Sequence, residues 1–168
     1  MYGKNTLAPS GGGSGFADQF INALTAPRVI RQGPQNTEYG DSFANALARS
    51  ESGGSYSARN SLGYTGKYQF GQDRLDDFNR ATGANYTTDD LLASPDLQER
   101  VFSWHVRDID RAIDGGDLLS SGYSRNALRS VAHLGGIGGM RKFVRTGGEY
   151  NPSDAFGTSL SDYAQRHR

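Results

Sequence analysis

The sequence contains no cysteine among its 168 residues. Disulfide bonds and thiolate metal sites are therefore excluded, and the redox compartment stays undetermined. The three histidines, His105, His133 and His167, are scattered along the chain. Because a dedicated metal site needs several suitably spaced ligands, we expect no metal ion, and no motif in the chain predicts another cofactor.

The sequence also lacks an excess of charge and a long apolar run. Its 18 Lys and Arg balance 18 Asp and Glu, and the basic residues form no cluster. We therefore expect no partner that is held by charge alone, such as a nucleic acid. No stretch approaches the apolar length of a membrane span. The first residues, MYGKNTLAPSGGGSG, have neither the basic nor the apolar part of a secretion signal, so we expect another route if the protein leaves its cell.

Glycine, in contrast, is abundant. The 23 glycines are about twice the usual share, which predicts many turns, and a hydrophobic content of 35% fits one soluble domain. Residues 1–40 are rich in Gly, Pro and Ser, with room for one short helix at FADQFINAL. We therefore divide the chain into a tail, 1–40, and a domain, 41–168. The tail could pack on its own domain or be held by a larger assembly.

Apolar residues recur at helical spacing through most of residues 41–168. Capping residues and glycine stops predict helices that begin near residues 41, 73, 94, 124 and 151, and a short helix over IGGMRKFV. The strongest signal starts at Ser94-Pro95-Asp96 and continues to Gly115-Gly116. Residues 55–70 are rich in Ser, Tyr, Asn and Gly, which predicts an irregular or hairpin-like lobe. The predicted fold class is mainly α, a single domain with a small lobe after Glu51.

Glu51 lies on the apolar face of the first predicted helix. Phe43, Leu47 and Glu51 follow one another at intervals of four, which directs Glu51 towards the core. The helix ends there, where the carbonyl ends of the helix dipole disfavour a negative charge. Both conditions favour the protonated form, which a general acid requires. The structural alternative is that an N–H of the following glycine loop satisfies the carboxylate, and spacing alone leaves both interpretations open.

Three segments, in order along the chain, resemble a known family. ARSESGG at 48–54, GYTGKYQFG at 63–71 and VAHLGGIGGMRKFV at 131–144 are similar to the three sequence blocks of the lytic transglycosylases of the lysozyme superfamily. The combination is closest to the peptidoglycan-degrading modules that phage particles carry, and it spans roughly residues 41–165. Three blocks in the right order are much more specific than any one of them. The resemblance implies a lysozyme-like domain.

The resemblance also implies the functional residues. Glu51 corresponds to the catalytic acid/base, and Ser52 to the serine that helps to position the acid or the sugar. Gln69 corresponds to the glutamine that lines the sugar cleft, where Tyr64, Tyr68 and Phe70 are expected to contact the glycan. His133 stands where the family usually has the tyrosine that approaches the catalytic carboxyl, and we expect it beside Glu51 or packed in the core. Leu134 replaces the asparagine that touches sugar.

A second carboxylate is missing where many lysozymes have one. Hydrolysing glycosidases usually need two acids, yet residues 52–72 contain no Asp or Glu. A single acid suffices if the substrate supplies its own nucleophile. The family activity fits this pattern: Glu51 would protonate the glycosidic oxygen between N-acetylmuramic acid and N-acetylglucosamine, and the muramic C6 hydroxyl would close onto C1 to give a 1,6-anhydro product.

Three functions therefore stay open. The first is a lytic transglycosylase of a phage particle that opens the cell wall, with its tail held by other virion proteins. The second is a lysozyme-type hydrolase (muramidase) of the same bond. The third is a catalytically silent structural module of the particle. The first predicts that the glycan strand of peptidoglycan is the main partner and that the protein resides in the virion and acts in the bacterial periplasm or cell wall.

Overall fold

The computed structural model describes residues 41–168. The predicted tail, its short helix and its expected contacts with virion proteins lie outside the described residues. The described part is mainly helical, as predicted. Its elements are, in chain order, α1 (Asp41–Ser52), α2 (Gln72–Thr82), α3 (Thr88–Ala93), α4 (Pro95–Gly115), a 3₁₀ helix (Leu118–Ser121), α5 (Arg125–Arg145) and α6 (Leu160–Arg166).

Side-chain caps set where several helices begin. Ser94 accepts a hydrogen bond from the backbone N–H of Leu97 and precedes Pro95, which confirms the start predicted for α4. Ser124 caps α5 in the same way. Thr87 and Asp90 form a capping box that begins α3, a helix that the sequence analysis missed. These caps satisfy N–H groups that have no partner within their own helix.

The segment between α1 and α2 forms an irregular lobe, residues 53–71. Within residues 41–168, its β-pairings are the isolated bridges of Thr65 with Arg59 and with Phe70, so the irregular structure predicted for 55–70 is confirmed. Gln98, buried on α4, holds this lobe. Its Oε1 accepts a hydrogen bond from the N–H of Lys67, and its Nε2 donates to the carbonyl of Tyr56. A buried amide thus replaces the partners that a regular sheet would supply to the lobe's backbone.

Two apolar cores lie along the long helix α4. The first core joins α1, the lobe, α2, α3 and the first half of α4, and it is rich in aromatic rings. The second core joins the rest of α4 to α5 and α6, and most of its members are aliphatic. Tyr163 of α6 belongs to the first core, so the last helix reaches across to the side that holds α1. This crossing brings α6, the last helix, next to α1, the first.

The prediction for the last helix was wrong at its start. The sequence analysis began this helix near Asn151, whereas α6 begins at Leu160. The carboxylate of Asp154 accepts hydrogen bonds from the N–H groups of Phe156 and Thr158, which closes a turn instead. A capping box of Ser159 and Asp162 then starts the helix. Among the described residues, no helix is long and apolar enough to cross a membrane.

Candidate active site

Glu51 ends α1 and faces a cleft. Phe43 and Leu47 on the same face are buried, as the spacing predicted, and only 11% of the Glu51 side chain is exposed. Gly53 and Gly54 end the helix with φ of 66° and 86°, a conformation that glycine adopts without strain. The cleft has a volume of about 520 Å³, so Glu51 is nearly buried and still reachable from solvent.

Two side chains from distant helices approach the same oxygen of Glu51. The hydroxyl of Tyr163 on α6 donates a hydrogen bond to Oε1 at 2.6 Å. Burial raises the pKa of Tyr163, and its contact with Glu51 raises it further, so this hydroxyl stays protonated. The Nε2 of His133 on α5 lies 3.8 Å from the same Oε1. Among residues 41–168, no group donates a hydrogen bond to the other oxygen, Oε2.

The approach of α6 to Glu51 depends on two glycines in α5. Gly136 has φ of 69° and ψ of 171°, so α5 consists of two helical segments that meet at this residue, close to the two helices predicted there. A Cβ atom on Gly135 would lie 2.8 Å from Cδ2 of Leu160, which is itself buried. Because Gly135 has no side chain, the start of α6 packs directly on α5, and Tyr163 follows one turn later.

Exposed apolar side chains line both walls of the cleft. The lobe contributes Leu62 and Tyr64, which are 55% and 44% exposed, and the loop before α6 contributes Phe156, which is 68% exposed. Polar side chains lie between them, including Asn60 and Gln69. Exposed rings beside amide groups suit a sugar, because a pyranose has an apolar face and a polar rim.

The cleft continues beyond Glu51 on the side of α2. This second section, of about 960 Å³, shares Tyr64, Gln69 and His133 with the first and extends to Arg74 and Trp104. The two sections together form an elongated groove that passes beside Glu51. Such a shape suits a polymer strand better than a single small molecule.

The structure brings several predicted site residues together and leaves others out. Tyr64, Gln69 and His133 line the cleft with Glu51. Phe70 borders the second section but is only 3% exposed, and its ring lies edge-on against His133. Phe70 therefore supports the cleft wall and offers little surface to a sugar.

Tyr68 and Ser52 line neither section of the cleft, which corrects Tyr68 as a glycan contact and leaves Ser52 with the alternative of positioning the acid. Tyr68 is 1% exposed, because its ring stacks on Phe102 at 3.9 Å and its hydroxyl donates a hydrogen bond to Glu99. The Ser52 hydroxyl donates to the carbonyl of Lys67 at 2.8 Å. Ser52 thereby joins the end of α1 to the lobe, so it acts on the position of Glu51 and has no contact with the groove.

The sequence analysis missed the contact between Tyr163 and Glu51 and the places of Phe156 and Asp154 in the cleft wall. A helix that began near residue 151, as predicted, would contain both Phe156 and Tyr163, whereas Phe156 lies in the loop before α6. Periodicity identifies Tyr163 as inward-facing, but nothing local indicates that residue 163 meets residue 51. A signal for Asp154 exists in the pattern Asp-Ala-Phe-Gly-Thr, which is typical of a turn.

Among the described residues, no group of three or more His, Asp or Glu side chains could hold a metal ion. Comparisons with models of protein families, with curated proteins and with solved structures find no significant match to this chain.

Proposed function

We propose that this chain is a peptidoglycan lytic transglycosylase with a lysozyme-like domain. The observation that carries the proposal is Glu51: a carboxyl that is 11% exposed, faces an elongated cleft and contacts a tyrosine hydroxyl. The order of the blocks at 48–54, 63–71 and 131–144 supports the same family. The substrate is the β-1,4 bond between N-acetylmuramic acid and N-acetylglucosamine.

In the proposed reaction, Glu51 acts first as an acid and then as a base. Its proton passes to the glycosidic oxygen while the bond from that oxygen to muramic C1 breaks. The resulting carboxylate takes the proton of the C6 hydroxyl, whose oxygen bonds to C1 and closes the 1,6-anhydro ring. No water is consumed, and Glu51 ends protonated. Because Tyr163 and His133 both lie at Oε1, Oε2 is the oxygen that we assign to proton transfer.

The cleft walls supply the binding surface in this proposal. Tyr64, Leu62 and Phe156 offer exposed apolar surface for the faces of successive sugar rings. Gln69 lines the same cleft, and its Nε2 donates a hydrogen bond to the carbonyl of Gly66 at 2.9 Å. The free carbonyl oxygen of Gln69 is therefore the atom that can accept a hydrogen bond from an acetamido or hydroxyl group.

We place this activity in a phage particle that opens the bacterial cell wall during entry. The similarity of the three blocks to virion-associated modules supports this setting, as does the composition of residues 1–40. The enzyme then resides in the virion and acts in the periplasm or cell wall. Other virion proteins would hold the tail.

Hydrolysis of the same bond is a second candidate because of Asp154. This carboxylate lines the cleft with Glu51 and is half-buried. Its Oδ1 accepts two backbone hydrogen bonds, so the geometry leaves Oδ2 as the oxygen that could activate a water. Asp154→Asn tests this role, because the amide oxygen can still close the turn while the charge is lost. Transglycosylation predicts that this variant keeps most of its activity, and hydrolysis predicts a loss of about 100-fold or more.

The proposed function is tested by lysis of purified cell walls, followed as a fall in turbidity and as clearing in a zymogram. We expect the full chain to lyse walls without added metal or cofactor. A folded chain that leaves turbidity unchanged on walls of several chemotypes would instead support a silent structural module.

A further inference from the structure

A chain of polar side chains leads from the surface of the groove to Glu51. The Nε of Arg74 donates a hydrogen bond to Nδ1 of His105 at 2.8 Å. The Nε2 of His105 lies 3.2 Å from Nδ1 of His133, and Nε2 of His133 lies 3.8 Å from Oε1 of Glu51. We call Arg74, His105 and His133 the histidine chain.

The arginine gives this chain one direction. A guanidinium group has only N–H donors, so Nδ1 of His105 must accept from Arg74. A neutral His105 then carries its proton on Nε2 and donates it to Nδ1 of His133. His133 in turn must carry its own proton on Nε2, the nitrogen that faces Glu51. The tautomer of His105 therefore determines the tautomer of His133. The tautomer of His105 is itself fixed, because Arg74 can donate a hydrogen bond but cannot accept one.

The surroundings hold this arrangement in place. The edge of Phe70 packs against both imidazole rings, with ring centroids 5.3 and 5.9 Å away. The guanidinium of Arg74 lies 4.2 Å from the centre of the Trp104 ring, and its Nη2 donates a hydrogen bond to Oδ2 of Asp108 at 2.7 Å. Arg74 therefore has a defined orientation, and the two rings have little freedom to flip.

Both rings favour their neutral forms, mainly because they are buried. Burial lowers the pKa of His105 well below its ordinary value, and the nearby His133 and Arg74 lower it further. Burial also lowers the pKa of His133, and the charge of Arg74 lowers it further. Two contacts raise this pKa instead: the charge of Glu51, and a hydrogen bond that the backbone of Tyr68 accepts. His167, directly after α6, is near enough to Glu51 and His133 for their charges to affect it, and burial lowers its pKa as well. Neutrality matters because a neutral imidazole carries its proton on one nitrogen only, whereas a charged one carries a proton on both.

We propose that Arg74 and His105 are positioning residues for Glu51, because they fix His133 in its Nε2–H form and direct that donor at Oε1. The inference rests on the proposed function only in taking Glu51 as the acid. Tyr163 is hydrogen-bonded to Oε1, and the Nε2–H of His133 lies 3.8 Å from the same oxygen, close enough to approach the carboxylate after proton donation while Oε2 stays towards the substrate. Neither donor adds a positive charge beside the acid.

The tautomers are tested directly by NMR on the full chain at neutral pH. A long-range ¹H–¹⁵N correlation spectrum distinguishes a protonated from an unprotonated ring nitrogen. We expect His105 and His133 to be neutral, with the proton on Nε2 and an unprotonated Nδ1 in both. A proton on Nδ1 of either ring, or a doubly protonated ring, would overturn the proposal. This measurement needs no enzymatic activity.

The effect on the reaction is tested with three variants of α2. Arg74→Leu removes the first donor, and we expect kcat to fall about tenfold with KM little changed, together with mixed tautomers in His105 and His133. Arg74→Lys restores a group that can only donate, and we expect it to recover most of kcat and the Nε2–H pattern. Arg80→Leu is the matched control, because Arg80 also pairs with Asp77 on this helix and is exposed.

The outcomes separate the two claims. If the wild-type chain lyses no wall, the proposed function fails while the tautomers can still be read from the spectrum. If the wild type is active and Arg74→Leu keeps both its kcat and the wild-type tautomers, the positioning role is wrong. Should Arg74→Leu fail to fold, Arg74→Lys and the wild-type spectrum still decide the matter.

Discussion

Among residues 41–168, two glutamates accept hydrogen bonds from tyrosines, and they differ in whether a cation lies beside them. Glu99 on α4 accepts from the Tyr56 hydroxyl at 2.7 Å and from the Tyr68 hydroxyl at 3.0 Å. It also pairs with the ammonium group of Lys67 at 2.8 Å. Glu51 has the hydroxyl of Tyr163 and the imidazole of His133, and no Lys or Arg within residues 41–168 forms an ion pair with it.

The difference is a fixed cation, Lys67, which lies beside Glu99 and has no counterpart beside Glu51 among the described residues. A fixed cation beside a carboxylate favours its charged form. The Glu99 cluster (Tyr56, Lys67, Tyr68 and Glu99) uses that charge to hold the lobe on α4. The Glu51 cluster (Glu51, Tyr163, His133 and His105) contains only neutral donors around the acid. An acid/base catalyst has to give and regain one proton, which suits the second environment and not the first.

The largest expected effect comes from removing the acid in each cluster by the same substitution. Glu51→Gln should abolish wall lysis, with a loss of roughly 10²–10⁴-fold or more, because an amide cannot donate and regain the proton. Glu99→Gln should keep lysis within about twofold of wild type. Turbidity assays on both variants, with circular dichroism to verify folding, make the comparison. Lysis by Glu51→Gln at the parental rate would remove the distinction between the two clusters.

Removing the tyrosine hydroxyl at Glu51 should have the next largest effect. Tyr163→Phe deletes one hydrogen bond to the Glu51 carboxylate, worth about 1.5–3 kcal/mol, so under the proposed function kcat should fall about 10- to 100-fold. Tyr123→Phe is the matched control, because Tyr123 packs on Phe143 away from the Glu51 cleft. Equal rates for the two variants would show that the Tyr163 contact contributes nothing to the reaction.

Mild acid should destabilise the protein through the histidines of the Glu51 cluster. Burial lowers the pKa of His105 and of His133 below the ordinary 6.5, so the unfolded chain binds more protons once the pH falls below that value. Stability is therefore greatest above pH 6.5 and decreases as the pH falls towards the folded-state pKa, by at most about 1.4 kcal/mol per pH unit for each ring. Urea unfolding between pH 7.5 and 5.5 measures the slope, and His105→Gln should reduce it. An unchanged slope in that variant would contradict the assignment.

Removal of Lys67, the cation of the Glu99 cluster, should have the smallest effect. Lys67→Met removes the ion pair with Glu99, which is 42% exposed, so the free energy of unfolding should fall by only about 1 kcal/mol. Wall lysis per folded molecule should be unaffected. Denaturant unfolding gives the first quantity and a turbidity assay the second. A marked loss of activity without a loss of stability would mean that Lys67 serves the cleft as well as the lobe.

Much of the helical frame could be predicted from local sequence signals. The cap at Ser94, the stop at Gly53 and the inward face of α1 are properties of a few neighbouring residues, and the structure has them as predicted. The position of α6 was missed because a capping box at Ser159 and a turn at Asp154 override an apolar spacing that looks helical from residue 151.

The candidate site could be predicted only in part, because its contacts are non-local. Glu51 was identifiable from its own helix, but Tyr163 lies 112 residues further on and reaches Glu51 only through the packing of α6 against α5. Tyr68 illustrates the opposite case. An aromatic residue in a polar lobe was expected to face the cleft, yet its ring is buried against Phe102. In an irregular lobe, tertiary packing decides whether a ring faces the core or the cleft. The sequence has no periodic pattern there from which this could be predicted.

The central claim, that Glu51 cleaves a glycan with the help of the substrate's own hydroxyl, is tested most directly by the mass of the products. Purified peptidoglycan is digested with the wild-type chain and with Glu51→Gln, and the soluble fragments are analysed by mass spectrometry. The account predicts fragments that end in 1,6-anhydro-N-acetylmuramic acid, lighter by one water than the hydrolysed equivalents, from the wild type alone. Fragments with a hydrolysed reducing end, or anhydro fragments from Glu51→Gln as well, would contradict it.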